Sequence, residues 1–335
     1  MSEPIRIGIA FRVADEVISQ IQAVDARIVT VPLFGLSSAA TLNDTAHTDR
    51  EALFRDVATV DILFGTNAIP PDVLRAAANL KWFQVITAGV DRLHRDGTLN
   101  LGFQVTNVSG LTAVAIAEYV TGSIIMMAKG MHVAMQNQAR RTWSRTGSVM
   151  ELSGATVGIL GMGAIGRETA LRARALGMRV IASRRTVAAG DIDSDCDMLV
   201  PFSQNSLVLQ QADFLVLCVP LTPETLHMIA AEQLALMKPS AVIINIARGE
   251  VIDQSALMKA LREGVIAGAV LDVTDPEPLP MDHDLWETPN VVITPHISGS
   301  ISGYGHRSAE MFIANLRRFI ANEPLDNLVD PVLGY

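Results

Sequence analysis

Short apolar runs separated by longer helical patterns recur along this chain, and that alternation constrains its fold more than any other feature. Residues 5–10, 62–65, 82–87, 156–160, 180–183, 214–219, 241–245, 269–272 and 291–294 read as buried strands. Residues 112–129, 164–176, 254–263 and 304–321 read as helices. Strands alternating with helices predict parallel sheets covered on both faces, an α/β architecture. At roughly 100–200 residues per domain, the 335 residues are expected to form two domains. The helix over 112–129, which holds Glu118 and Tyr119, is a candidate bridge between them, and the helix over 304–321 is expected to return the chain to the first. The polar stretch 140–152, with Gly147, reads as an arm or loop.

Composition narrows the classes. Apolar residues make up 49% and charged residues 18%, and the mean hydropathy is +0.31. A polar, charge-rich disordered chain is excluded. No apolar run approaches the ~18 residues that cross a bilayer, so no membrane partner is expected. The N-terminus lacks a basic stretch followed by an apolar one, and no secretory leader is expected. Cys196 and Cys218 form neither a metal-type spacing nor a disulfide framework, so the expected location is the reducing cytoplasm.

The net charge of -9 argues against a general nucleic-acid binder, whose affinity rests on neutralising phosphates. The charge is uneven, however. Between residues 155 and 190, Arg167, Arg172, Arg174, Arg179, Arg184 and Arg185 face a single acid, Glu168, a surplus that suits a small phosphorylated anion or a solvated helix face. The acidic run Asp191, Asp193, Asp195 and Asp197 does not make a calcium loop. Cys196 and Phe202 occupy the places where Gly and Glu are required, so a solvated acidic loop and no metal are expected.

The strand-like Thr156-Val157-Gly158-Ile159-Leu160 runs straight into Gly161-Met162-Gly163-Ala164-Ile165-Gly166, which opens a helix. This is G-x-G-x-x-G in the context that dinucleotide binding requires. The first glycine permits the tight turn, the second a close approach of a pyrophosphate, and the third tight helix–strand packing. The helix N-terminus adds free amide donors and a positive dipole end. Where an NAD site carries an acid at the end of the next strand, this chain has Ser183-Arg184-Arg185-Thr186. A 2′-phosphate is repelled by a carboxylate and held by guanidinium and hydroxyl groups. NADP(H) is therefore the expected cofactor, with NAD(H) a possible one, unless both arginines merely face water.

Three later segments end predicted strands with reactive side chains: Arg248 after Ile243-Ile244-Asn245, Glu277 after Leu271-Asp272, and His296 after Ile293-Thr294-Pro295. The carboxyl ends of parallel strands are where α/β sheets place ligands. An arginine, an acid and a histidine there suit a 2-keto acid, although each alone also reads as a surface ion pair or a loop acid.

With these segments in place, the chain resembles the D-isomer-specific 2-hydroxyacid dehydrogenase family, in particular its glyoxylate/hydroxypyruvate reductases. The resemblance runs from Thr87-Ala88-Gly89-Val90-Asp91 through Ala117-Glu118-Tyr119, the glycine turn, and Cys218-Val219-Pro220-Leu221-Thr222-Pro223-Glu224-Thr225. It continues through the three catalytic segments and Glu277-Pro278-Leu279-Pro280, Leu285-Trp286 and Pro289-Asn290-Val291, while the first ~80 residues carry little motif information.

The resemblance implies two parallel-sheet α/β domains. A Rossmann cofactor domain (residues 103–297) is inserted in a flavodoxin-like substrate domain (residues 1–102 and 298–335). It implies that Arg248 clamps the substrate carboxylate and carbonyl, and that the amides of Ala88, Gly89 and Val90 hold the other carboxylate oxygen. His296 then gives a proton to the carbonyl oxygen as hydride arrives, and Glu277 pairs with His296 and favours its imidazolium form. Asp272 meets the nicotinamide carboxamide. Cys218, Val219, Pro220, Thr225, Ile246, Ala247, Arg248, His296 and Gly299 line the cofactor together with Gly161, Gly163, Ala164, Ile165, Gly166 and the Ser183–Arg184–Arg185–Thr186 set.

The expected reaction is NADPH-dependent reduction of a small 2-keto acid to the D-2-hydroxy acid, by a homodimer. Family members acting on formate carry glutamine beside the histidine, so Glu277 argues against formate; phosphite oxidation stays open. The alternative is a corepressor-like dinucleotide sensor, which shares the fold but adds tails; with the chain ending at Tyr335, that reading is not the expected one. Pocket residues are expected over 65–69 and 299–304, where Ile301 replaces the threonine common in the family.

Overall fold

The structure, a computed structural model, describes residues 3–34, 50–145, 149–188 and 190–335; His47 and Gly147 lie outside them. The chain forms two compact units, Met1–Leu111 with Ser302–Tyr335, and Thr112–Ile301.

The first unit is built on five parallel strands: β1 (Ile5–Ile9), β2 (Ile28–Pro32), β3 (Ile62–Gly65), β4 (Trp82–Val85) and β5 (Gln104–Thr106). Their order is β2-β1-β3-β4-β5, the flavodoxin-like arrangement. The inner strands β3 and β4 are buried along their whole length, as strands covered on both faces must be. The C-terminal helix Tyr304–Ile320 joins this unit through its apolar stripe. Phe312 stacks on Phe64 with ring centroids 4.3 Å apart and lies 5.2 Å from Trp82. All three rings are fully buried, and each contributes roughly 1.5–3 kcal/mol by leaving water. The buried indole is also satisfied: Trp82 Nε1 donates to Thr106 Oγ1 at 2.7 Å, and that hydroxyl donates to Gln84 Oε1.

The second unit holds seven parallel strands: β6 (Thr156–Leu160), β7 (Arg179–Arg184), β8 (Met198–Pro201), β9 (Phe214–Leu217), β10 (Val242–Asn245), β11 (Gly268–Leu271) and β12 (Val291–Ile293). Their order is β12-β11-β10-β9-β6-β7-β8. This is the Rossmann arrangement with one further strand at the edge, and the order reverses between β6 and β9, where such sheets open a crevice. The helix Ala113–Ala128 belongs wholly to this unit rather than bridging the two. Its Ile116, Val120 and Ile124 share a core with Val157, Ile159, Ala170 and Ala173. Among the described residues no single helix is long and apolar enough to cross a membrane.

Two expectations need correction. Boundaries at 102/103 and 297/298 assign residues 104–106 to the cofactor domain. Those residues instead form β5, hydrogen-bonded to β4 in the first sheet, and the units meet at 111/112 and 301/302. The acidic run is also more than a solvated loop. Asp193 and Asp195 both bind the Arg167 guanidinium, Asp193 at 2.7 Å, and Asp197 accepts the Val180 amide at 2.8 Å. Arg172 pairs with Glu168 at 2.5 Å, and Arg174 reaches Asp197 at 4.0 Å. Much of the apparent positive surplus is therefore neutralised by local partners, because acids distant in sequence fold back against the helix Ala164–Ala175.

Candidate active site

The glycine turn after β6 has the geometry of a phosphate cradle. Gly161 adopts φ +104°, and a Cβ there would lie 2.7 Å from the Cys218 carbonyl oxygen at the end of β9. A Cβ on Gly166 would lie 2.4 Å from the Gly161 oxygen. At Gly163 nothing lies within 4 Å, so the backbone ahead of the helix Ala164–Ala175 is open to approach. Closed below and open above, the turn fits a dinucleotide pyrophosphate. The amides of Gly161 and Met162 donate to the Ser183 carbonyl oxygen, each at 3.1 Å, which ties the turn to β7.

At the end of β7, Arg184, Arg185 and Thr186 are exposed. Ser183 is fully buried, and its Oγ has no hydrogen-bond partner among the described residues. Thr225 is buried and shapes its own loop: its hydroxyl donates to the Pro220 carbonyl at 2.7 Å and accepts the Thr222 amide at 2.8 Å. Val219, Ile246 and Ala247 are buried near the ends of β9 and β10. Cys218 is part-exposed as a residue, but burial of its thiol pushes the group up to about 12. A Cβ on Gly299 would meet Thr112 and Ile116 at ordinary contact distance.

Arg248, Glu277 and His296 follow β10, β11 and β12, three neighbouring strands at one side of the sheet. Asn245 shapes the first of these loops by donating to the Arg248 carbonyl at 2.9 Å and accepting the Ala247 amide at 3.0 Å. The next residue must be glycine: a Cβ on Gly249 would fall 2.1 Å from the Thr274 carbonyl. His296 Nδ1 lies 2.7 Å from Glu277 Oε1. A carboxylate only accepts, so Nδ1 carries the proton and Nε2 is left for chemistry.

His296 itself sits at φ +52°, a left-handed backbone unusual for a residue other than glycine. Asp272, 1% exposed, holds this turn: its carboxylate accepts from the amides of Ile297 and Ser298 at 2.8 and 2.9 Å, and from Thr294 Oγ1 at 2.6 Å. This occupation of Asp272 by its own turn was not foreseen from the sequence.

In the first unit, the loop after β4 carries Ala88, Gly89 and Val90. Its carbonyls are tied by side chains. Tyr304 Oη donates to Ile86 O at 2.5 Å, Asn107 Nδ2 to Ala88 O at 2.8 Å, and Asn67 Nδ2 and Thr87 Oγ1 to Gly89 O, each at 3.0 Å. None of the amides of Ala88, Gly89 and Val90 has a hydrogen-bond acceptor among the described residues. A loop with bound carbonyls and unengaged amides is suited to an anion. Asn67 and Tyr304 fall in the segments expected to line a pocket; Asn107 carried no signal in the sequence.

Comparison with known proteins identifies the family. Residues 121–298, just over half of the chain, match the model of the D-isomer-specific 2-hydroxyacid dehydrogenase NAD-binding domain. The chain is 35% identical over 297 residues to the glyoxylate reductase of Thermococcus onnurineus, covering 86% of this chain and 88% of that one. Among solved structures it is similar to the D-isomer-specific 2-hydroxyacid dehydrogenase of Xanthobacter autotrophicus, in complex with NADPH and MES, with TM-score 0.82 and 28% identity over the full length of both. It is also similar to the NADPH-dependent glyoxylate/hydroxypyruvate reductase of Sinorhizobium meliloti, in complex with NADP and sulfate, with TM-score 0.80 and 26% identity over both full lengths. With its two parallel sheets, its dinucleotide turn and these relatives, the chain belongs to the D-isomer-specific 2-hydroxyacid dehydrogenase family and is an NAD(P)-dependent oxidoreductase of 2-hydroxy acids.

Proposed function

We propose that this enzyme reduces a short 2-keto acid of the glyoxylate/hydroxypyruvate class to the D-2-hydroxy acid, with NADPH as the preferred reductant. The observation that carries the reading is the 2.7 Å pair of His296 Nδ1 and Glu277 Oε1, on strand ends next to the loop of Arg248. Carbonyl reduction needs a proton for the nascent alkoxide, and a histidine held by a carboxylate supplies one. The nicotinamide, when bound, supplies the hydride. His296 gives its Nε2 proton to the carbonyl oxygen while Glu277 steadies the imidazolium at Nδ1. Arg248 binds the carboxylate and carbonyl of the substrate, a charge-assisted contact worth roughly 1.5–3 kcal/mol. The amides of Ala88, Gly89 and Val90 are assigned to the other carboxylate oxygen.

The preference for NADPH rests on Arg184 and Arg185 at the end of β7, where no carboxylate side chain follows the strand directly. The Sinorhizobium meliloti and Xanthobacter autotrophicus proteins were solved with NADP and NADPH, which supports the same reading. The test is NADPH and NADH consumption with a panel of 2-keto acids, with phosphite and formate oxidation as controls. No turnover of any 2-keto acid sinks the reading; activity with phosphite alone replaces it.

The expected homodimer is supported by the helix Met131–Ala139, which has no buried residue. Met131 and Met135 are 51% and 65% exposed, and Trp143 beyond them is fully exposed. Exposed apolar side chains of this kind are suited to contact with a second copy of the chain. Light scattering on the purified protein, with and without Met135→Lys, tests this directly.

A further inference from the structure

A hydrogen-bonded line runs from the middle of the helix Ala113–Ala128 to the turn that presents His296. Tyr119 Oη and Thr294 Oγ1 are 2.7 Å apart. Thr294 Oγ1 donates to Asp272 Oδ1 at 2.6 Å. A hydroxyl has one proton to give, and Thr294 gives it to the carboxylate, so Tyr119 is the donor to Thr294. Burial holds the Tyr119 phenol above its ordinary range, which keeps that proton in place.

Asp272 is the hub of the line. Its carboxylate is almost wholly buried and takes the amides of Ile297 and Ser298, on the far side of His296. The His296 amide donates back to the Asp272 carbonyl at 2.9 Å and to the Thr294 carbonyl at 3.0 Å. The left-handed backbone at His296 is thus held by one carboxylate, which Thr294 braces from the other side of the turn. A buried charge with this many donors is stable only while each is aligned. Removing the phenolic donor leaves the Thr294 hydroxyl bonded to Asp272 alone, which loosens its alignment on the carboxylate.

We propose that Tyr119 is a positioning residue for proton transfer: through Thr294 and Asp272 its hydroxyl fixes the turn that aims the His296 imidazole. The inference rests on the reading of His296 as the acid–base group. Tyr119 touches no reacting atom.

The test uses the full-length enzyme with glyoxylate and NADPH. Tyr119→Phe removes only the hydroxyl. The expected result is a fall in kcat of about tenfold, the scale of one net hydrogen bond, with a larger solvent deuterium isotope effect on kcat. KM for the keto acid and the NADPH dissociation constant, read by fluorescence, should stay within about twofold because the loss lies in the transition state. Thr294→Ser, which keeps the hydroxyl, should retain activity where Thr294→Val loses it. A purely structural role would lower the melting temperature and leave kcat and the isotope effect unchanged. His296→Gln separates the two levels. If it is inactive while Tyr119→Phe turns over at the wild-type rate, the positioning role is overturned and the reading of His296 stands. If His296→Gln is fully active, both fall together.

Discussion

Glu277 Oε1 and His296 Nδ1 stand 2.7 Å apart, yet the two side chains remain 43% and 48% exposed. A contact this accessible contributes little to stability, because water screens it. Its value lies in fixing which nitrogen is free. His296→Gln is therefore expected to reduce turnover by ~10²-fold or more, the scale of losing a general acid, with a melting temperature close to that of the parent. Steady-state kinetics and a thermal melt check both halves, and a large drop in melting temperature would contradict the division between catalysis and stability.

Arg184 and Arg167 should respond differently to substitution, although both lie in the arginine-rich stretch. Arg167 is already engaged by Asp193 and Asp195, whose contacts raise its guanidinium further above its usual range. Arg184→Ser is expected to lower kcat/KM for NADPH by about ten- to a hundredfold, the loss of one charge-assisted contact, and to leave NADH nearly unchanged. Arg167→Ala should affect the two cofactors alike. A larger NADPH-specific loss in Arg167→Ala than in Arg184→Ser would reverse the assignment.

The glycines of the turn give a second separable pair. Gly166→Ala places a methyl against the Gly161 carbonyl and should cost about 1–3 kcal/mol of stability, the usual range for overpacking. Gly163→Ala meets nothing within 4 Å, so its melting temperature should hold while NADPH binding weakens. Thermal unfolding alongside fluorescence titration distinguishes the two.

Both cysteines are expected to be inert in the folded protein. Burial, reinforced by Asp193, Asp197 and Asp195, pushes the Cys196 thiol up to about 11, and burial alone pushes Cys218 up to about 12. At pH 8 the reactive thiolate is below about one part in a thousand for either. Ellman's reagent should label neither quickly in buffer and both at once in denaturant. Rapid native labelling of one equivalent would show that one of these sites opens in the folded protein.

The strands that the sequence conceals are β2, β5 and β8, and all three are sheet edges. These three are covered on fewer sides and are less completely buried than β3, β6 or β9. β2 alternates between buried and exposed residues, β5 is three residues long, and β8 has part-exposed ends. The misplaced domain boundary has the same cause, since it cut the chain just before β5. The residues that end interior strands were legible: the glycine turn after β6 and Arg248 after β10 announce themselves by local pattern. What was not legible is tertiary. Thr294 meets Tyr119 across 175 positions of sequence, and Arg167 meets Asp193 across 26, with no local pattern to mark either.

The glycine turn follows β6, and the loop bearing His296 follows β12, four strands away in the sheet. At about 4.8 Å per strand, the backbone ladder sets a span of roughly 19 Å between the roots of the glycine turn and of the His296 loop. Such a gauge is made of main-chain hydrogen bonds and is indifferent to the side chains that fill the core. Core substitutions that weaken this unit should therefore thin the population of working molecules while leaving the Michaelis constants of the survivors intact.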